Sequence, residues 1–140
     1  LLFRSTLSRV VHSWVLTRKQ RAKSWQLFNE ALCSDVADIQ GGTTPEGIHL
    51  GAMAGTVDQL QRGYTGIEVR GDVLWFNPCL PEELSELRLE LRYRGYFLDV
   101  HITCDELKIS ALRAKEHPIN IGYQEEVKEL YGRDSATFSL

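Results

Sequence analysis

The residues best placed to do chemistry lie in one stretch, Asp38-Ile39-Gln40-Gly41-Gly42-Thr43-Thr44-Pro45-Glu46-Gly47-Ile48-His49-Leu50-Gly51-Ala52. It reads as a glycine-bearing loop that opens directly into a helix. The first amides of a helix have no internal partner and the macrodipole favours an anion there, so the stretch suits a phosphate. His49 would donate a hydrogen bond to it from about one turn inside a helix that begins at Thr44-Pro45. The bland alternative is that Thr44 only caps the helix and His49 packs in the core. Glu46, at the same helix start, suits dipole stabilisation and bracing of the loop.

A second stretch, Ser5-Thr6-Leu7-Ser8 followed by His12, offers related chemistry. Ser5 or Thr6 can cap a first helix, which again presents free amides. Two helix starts converging on one anion would hold it better than either alone. Simple capping, with His12 in a structural role, is the competing reading.

The elements that must position these groups follow from periodicity. Leu7, Val11 and Trp14, or Leu7, Val10 and Trp14, keep a three-then-four rhythm that predicts a helix from about Thr6 to Arg18. The basic cluster Arg18-Lys19-Gln20-Arg21 suits a helix C-terminus and a solvated connection. Ala22, Trp25, Phe28, Leu32 and Val36 form the stripe of a second helix. The third, starting at Thr44-Pro45, carries Ile48, Ala52, Met53, Val57 and Leu60 and ends near Gly63. Its run Gly51-Ala52-Met53-Ala54-Gly55 is unusually small. Glycine in a helix interior costs about 1 kcal/mol relative to alanine, so a close approach by another backbone is expected there.

After Gly63 the period becomes two. Leu87, Leu89, Leu91 and Tyr93 alternate with charged residues, Arg94-Gly95 turns the chain, and Tyr96, Leu98, Val100 and Ile102 resume the alternation. Further strands are predicted at Ile67–Arg70, Val73–Phe76, Leu107–Ala111, Ile119–Gly122, Val127–Leu130 and Thr137–Leu140. Gly71-Asp72, Cys104-Asp105 and Gly132-Arg133-Asp134 supply turn chemistry between them. Several short strands with frequent turns argue for an antiparallel sandwich. The fold class is therefore α+β, with a helical part over 1–63 and a β part over 64–140.

Composition narrows the partners. A formal net charge of −3 over 140 residues gives no reason to expect nucleic acid or an anionic membrane. No apolar run approaches the roughly 20 residues that span a bilayer, and no signal-peptide pattern opens the chain. Cys33, Cys79 and Cys104 are odd in number and form no CxxC pair. They read as buried free thiols in a reducing compartment, with no metal site, and a cytoplasmic location is expected. The only methionine is Met53, so the expectation is either that a leader was removed or that the rest of a larger protein is missing, the second being the reading preferred.

Residues 41–56, Gly-Gly-Thr-Thr-Pro-Glu-Gly-Ile-His-Leu-Gly-Ala-Met-Ala-Gly-Thr, resemble the signature of glycoside hydrolase family 65, the maltose, trehalose and kojibiose phosphorylases. Ser5-Thr6-Leu7-Ser8 with His12 resembles the family's upstream serine-rich helix start. The stretch from Gly71 to Pro78, Leu80-Pro81 and the turn Arg92-Tyr93-Arg94-Gly95 resemble its C-terminal β domain. The resemblance implies the last helices of an (α/α)6 barrel followed by a β-sandwich. It implies inverting cleavage of an α-glucosidic disaccharide with inorganic phosphate as co-substrate and no cofactor. It also implies a phosphate site made by Ser5, Thr6 and His49, with support from Gly42, Thr43, Thr44 and Glu46. The family's general acid lies upstream of the first motif and has no counterpart here, so this chain carries no catalytic acid and is expected to be inactive alone. Arg4 departs from the family, which tends to carry a smaller or acidic residue there. Family members are often dimers, which makes a second copy an expected partner.

Two other functions compete. A hydrolase of the same family would activate water with Glu46 or an upstream carboxylate where phosphate otherwise binds. A non-catalytic carbohydrate-binding or interaction module would use Trp75, Tyr93, Tyr96 and Phe97 as platforms for sugar rings. Core packing of these strand residues is the plainer account, above all for Trp75 in the apolar run Val73–Phe76.

Overall fold

Among residues 5–38, 41–42, 45, 47–113 and 116–140, which the computed structural model describes, three α-helices and a π-helical turn precede eight strands. The chain divides into two units, Leu1–Tyr64 and Thr65–Leu140. None of the described helices is long and apolar enough to cross a membrane.

Helix α1 (Thr6–Leu16) begins at Ser5, whose side chain caps it. It runs antiparallel to α2 (Arg21–Leu32), and their contact is built from hydroxyls rather than leucines. Ser13 Oγ donates to the Ser24 carbonyl and Ser24 Oγ to the Ser13 carbonyl, each at 2.8 Å. Gln59 Nε2 donates to Thr17 Oγ1 at 2.7 Å. Arg9 Nε reaches Glu30 at 3.2 Å from the same face of α1. The buried residues of α1 are accordingly Thr6, Arg9, Val10 and Ser13. This corrects the apolar stripe: Val10 is buried, but Leu7 and Val11 are more than half exposed. Short hydroxyl side chains let the backbones approach and satisfy buried polar groups at the same time, so packing selected the polar face.

Helix α2 departs from its predicted stripe in the same way. It ends at Leu32 and buries Ser24, Leu27, Phe28 and Ala31, leaving Ala22, Leu32 and Val36 exposed. Trp25 stacks on Phe28 at 5.2 Å between centroids, and Phe28 meets the edge of Tyr64 at 6.0 Å.

Helix α3 spans Leu50–Asp58 and continues into the π-helical turn Gln59–Tyr64. The expected start at Thr44-Pro45 is not where this helix begins. Residues 47–49 lie outside it, and Gly47 has φ +106°, a conformation that does not belong to a right-handed helix. Glycine's access to positive φ breaks the segment just before His49. The small run also plays a different part from the one expected. Gly51 has only Leu7 Cδ1 at 3.9 Å from where a Cβ would stand, whereas a Cβ on Gly55 would collide with the Val10 side chain. A side chain, not a backbone, fills the space the glycine leaves.

In the second unit, strands β1 (Glu68–Arg70), β2 (Val73–Phe76), β6 (Ile119–Tyr123) and β7 (Glu126–Leu130) form one sheet in that spatial order. Strands β3 (Leu87–Tyr93), β4 (Tyr96–Ile102), β5 (Glu106–Ala111) and β8 (Ser135–Ser139) form the other, in the order β3-β4-β5-β8. The β3–β4 hairpin matches its prediction, including Tyr96, Leu98, Val100 and Ile102 as the buried face. Arg94 and Gly95 both have positive φ, +46° and +82°, as a two-residue type I′ turn requires. Leu74, Phe76, Ile121 and Leu130 from one sheet meet Leu98, Val100, Ile109 and Phe138 from the other in a single buried core. The sandwich is not wholly antiparallel: β2 and β6 pair in parallel. The chain leaves the first sheet after β2, builds β3 to β5, and returns alongside β2, a crossover that parallel neighbours need.

Candidate functional site

Helices α1 and α3 run parallel. The Leu7 side chain approaches Gly51, Val10 fills the space at Gly55, and Thr17 accepts from Gln59, so the pairs advance together along both helices. Leu7 lies two residues past Ser5 and Gly51 two past His49. The starts of the two helices therefore share one end of the helical unit. Because α2 is antiparallel to α1, its C-terminal turn, which carries Asp35, comes to that same end.

At the α1 start, Ser5 Oγ accepts from the Ser8 amide at 3.1 Å and lies 2.6 Å from Ser8 Oγ. Thr6 is buried, so the accessible hydroxyls there belong to Ser5 and Ser8. Ser8 was passed over as a site residue because its side chain follows the cap instead of forming it. His12 donates from Nδ1 to the Ser8 carbonyl one turn back at 2.6 Å, the structural role its lone helical position suggested.

Gly41 and Gly42 both bond back to Asp38. Both carboxylate oxygens of Asp38 accept from the Gly42 amide, at 2.9 and 2.7 Å, and Gly41 donates to the Asp38 carbonyl at 2.9 Å. The Gly42 amide is thus already engaged by a carboxylate, which corrects its expected place as a support for an anion. Thr43, Thr44 and Glu46, the other proposed supports, lie outside the described residues.

His49 is the N-cap residue of α3, not a residue one turn inside, and α3 has no side-chain cap. Its main-chain amide donates to Asp35 Oδ2 at 2.8 Å and its ring Nδ1 lies 2.5 Å from Asp35 Oδ1. One carboxylate thereby takes two hydrogen bonds from one residue. The ring bond from His49 lowers the Asp35 carboxyl below its ordinary value of 3.8; burial works against this, and the amide bond and the histidine's charge add to it. Nothing in the spacing of Asp35 and His49, 14 residues apart, announces this pair. A carboxyl held below its unfolded value contributes stability above that value and loses it as pH falls through the folded one. In urea denaturation, Asp35→Asn should therefore be less stable than the wild type at about pH 5, and the difference should begin to shrink near 3.8 and disappear only below the folded value. A difference that persists unchanged in stronger acid would reject a stabilising role for the ionised carboxylate.

Three of the four aromatic residues named as sugar platforms, Trp75, Tyr96 and Phe97, are already engaged. Trp75 lies over Gly122, where an added Cβ would strike its ring, and the Arg70 guanidinium stands 4.5 Å from the ring centroid. Trp75 is half-buried on the outer face of β2, not in the core run where it was expected, since Leu74 and Phe76 point inward. Arg92 and Arg113 stand 4.2 and 5.0 Å from the centre of Phe97. Tyr96 is buried and its hydroxyl donates to the His117 carbonyl at 2.8 Å. Rings so occupied are poor platforms for sugars.

Comparison with known proteins places this arrangement. The glycosyl hydrolase family 65 central catalytic domain matches residues 2–58, and the C-terminal domain of that family matches residues 67–130. The chain belongs to glycosyl hydrolase family 65. It is 44% identical over 126 residues to an uncharacterized glycosyl hydrolase of Mycobacterium tuberculosis, covering 90% of this chain and 10% of that protein. It is 29% identical over 130 residues to maltose phosphorylase of Bacillus subtilis, covering 92% of this chain and 17% of that enzyme. A solved structure attributed to a kojibiose phosphorylase from human microbiome shares the fold, with a TM-score of 0.83 at 20% identity over 99% of this chain and 18% of that one. The chain thus spans 10–17% of the length of these curated relatives.

Proposed function

We propose that this chain is the C-terminal part of an inverting glycoside phosphorylase for an α-glucosidic disaccharide such as maltose, trehalose or kojibiose, and that it supplies the phosphate-binding wall. The observation that carries the reading is the parallel pairing of α1 and α3, which brings the Ser5 and Ser8 hydroxyls and the His49 N-cap to one end of the helical unit. Phosphorylase names among the relatives support it.

In such a reaction the glucosidic oxygen takes a proton from a general acid contributed by an upstream segment. A phosphate oxygen bonds to the anomeric carbon from the opposite face as the bond to the leaving sugar breaks. Phosphate is its own nucleophile, so no second carboxylate is needed to activate water. This chain's task is to hold the oxyanion in line, and helix N-termini, hydroxyls and an imidazole are suited to that.

The alternative is hydrolysis by the same fold, favoured by the hydrolase name of the 44%-identical relative. The test is to assay the complete protein that carries this segment on the three disaccharides, with and without inorganic phosphate. Phosphorolysis predicts glucose 1-phosphate as product and little sugar release without phosphate. Equal release in its absence rejects phosphorolysis in favour of water.

A further inference from the structure

We propose that Asp35 is a positioning residue for the anion site, committing the Nδ1 edge of His49 so that Nε2 is the ring atom that meets phosphate; this rests on the phosphate reading above. The carboxylate clasps His49 twice, at the main-chain amide (2.8 Å) and at ring Nδ1 (2.5 Å). Either bond alone would leave a freedom open. The amide bond by itself leaves the ring free to turn about its side-chain torsions, and the ring bond by itself lets the residue swing with the loop that precedes α3. Together they fix the N-cap residue of α3 and the plane of its side chain as one unit.

The clasp also has a direction. The Asp35 side chain is 9% exposed and the His49 side chain 33%, so the carboxylate holds the covered side of the ring and leaves the other edge toward the open side. Proton bookkeeping gives the same answer. An ionised carboxylate only accepts, so Nδ1 must be the donor and carries hydrogen in every state of the pair. Any proton the ring takes up or gives away moves at Nε2. Facing phosphate, one proton lies between Nε2 and a phosphate oxygen, supplied by the ring or by the anion's own hydroxyl, and the hydrogen bond forms in either case. A histidine whose Nδ1 was free could instead turn either edge of the ring toward the anion, which would then meet no fixed partner.

The experiment uses the complete enzyme and three variants, Asp35→Asn, His49→Ala and the double variant, each assayed for the KM of phosphate and of disaccharide. Asparagine keeps the shape of Asp35 but can accept through only one of its two head-group atoms. At a metal-binding histidine, loss of such an outer partner typically costs about 10- to 100-fold, and the lower end of that range, about tenfold, is the effect expected here. We expect Asp35→Asn to raise the phosphate KM by about that factor, to leave the disaccharide KM within about twofold, and to cause no further loss once His49 is alanine, as residues acting through one another require. An Asp35→Asn enzyme with wild-type phosphate KM, or equal losses toward both substrates, or a full further loss in the double variant, would overturn the proposal. If His49→Ala itself leaves the phosphate KM unchanged, the phosphate reading fails and this proposal falls with it, a result distinct from failure of Asp35→Asn alone.

Discussion

His49→Ala in the complete enzyme should raise the phosphate KM about 10- to 150-fold, because a hydrogen bond to a charged group contributes about 1.5–3 kcal/mol. Two effects add in the same direction. The ring donor at Nε2 disappears from the anion, and the Asp35 carboxylate keeps only the main-chain amide of its two partners. A carboxylate freed of its imidazole next to an anion site repels the anion as well. His49→Asn separates these contributions, because its side-chain amide can still donate to Asp35 without reaching the phosphate. Its phosphate KM should rise less than that of His49→Ala. The disaccharide KM should change little in both variants. Wild-type phosphate dependence in His49→Ala would remove the histidine from the site.

Gly55→Val should destabilise the helical unit by about 1–3 kcal/mol. An added Cβ would stand 3.4 Å from Val10 Cβ and closer still to one of its methyl groups. Val10 is a buried, branched residue packed with Ala31 and Ala52, so it has no flexible end to withdraw. Overpacking of this kind costs about 1–3 kcal/mol, and valine's stiff χ1 in a helix limits relief. Removing a helical glycine returns about 1 kcal/mol at most. Gly51→Ala is the contrast: its nearest neighbour would be Leu7 Cδ1 at 3.9 Å, an ordinary contact. That variant should be neutral or more stable by up to about 1 kcal/mol. Thermal unfolding decides, since a domain of 60–100 residues shifts by about 4–8 °C for each kcal/mol. A Gly55→Val protein as stable as the wild type would reject close packing of α1 on α3.

The two units were legible to different degrees. In the β unit the alternation of Leu87 to Tyr93 and Tyr96 to Ile102, with Arg94-Gly95 between, specified strand, buried face and turn together. A strand's two faces differ by single residues, so its pattern is dense and local. The cysteines were less legible: Cys79 is buried, but Cys33 and Cys104 are exposed, because a lone thiol carries no periodic signal. The helical unit misled for a related reason. Reading apolar residues as the inner stripe assumes an apolar partner, and α1 instead meets Ser24, Gln59 and a glycine.

The amino-acid order by itself determined the α+β class, the point at which helical spacing gives way to alternation, and the family, carried by the run from Gly41 to Thr56. Those properties depend on neighbours in the chain. Tertiary structure alone decided that α3 starts at Leu50 with His49 as its N-cap, and that Asp35, 14 residues before it, holds the imidazole. That contact is a carboxylate choosing among donors that folding brings within about 3 Å, and distance along the sequence contains no term for that choice.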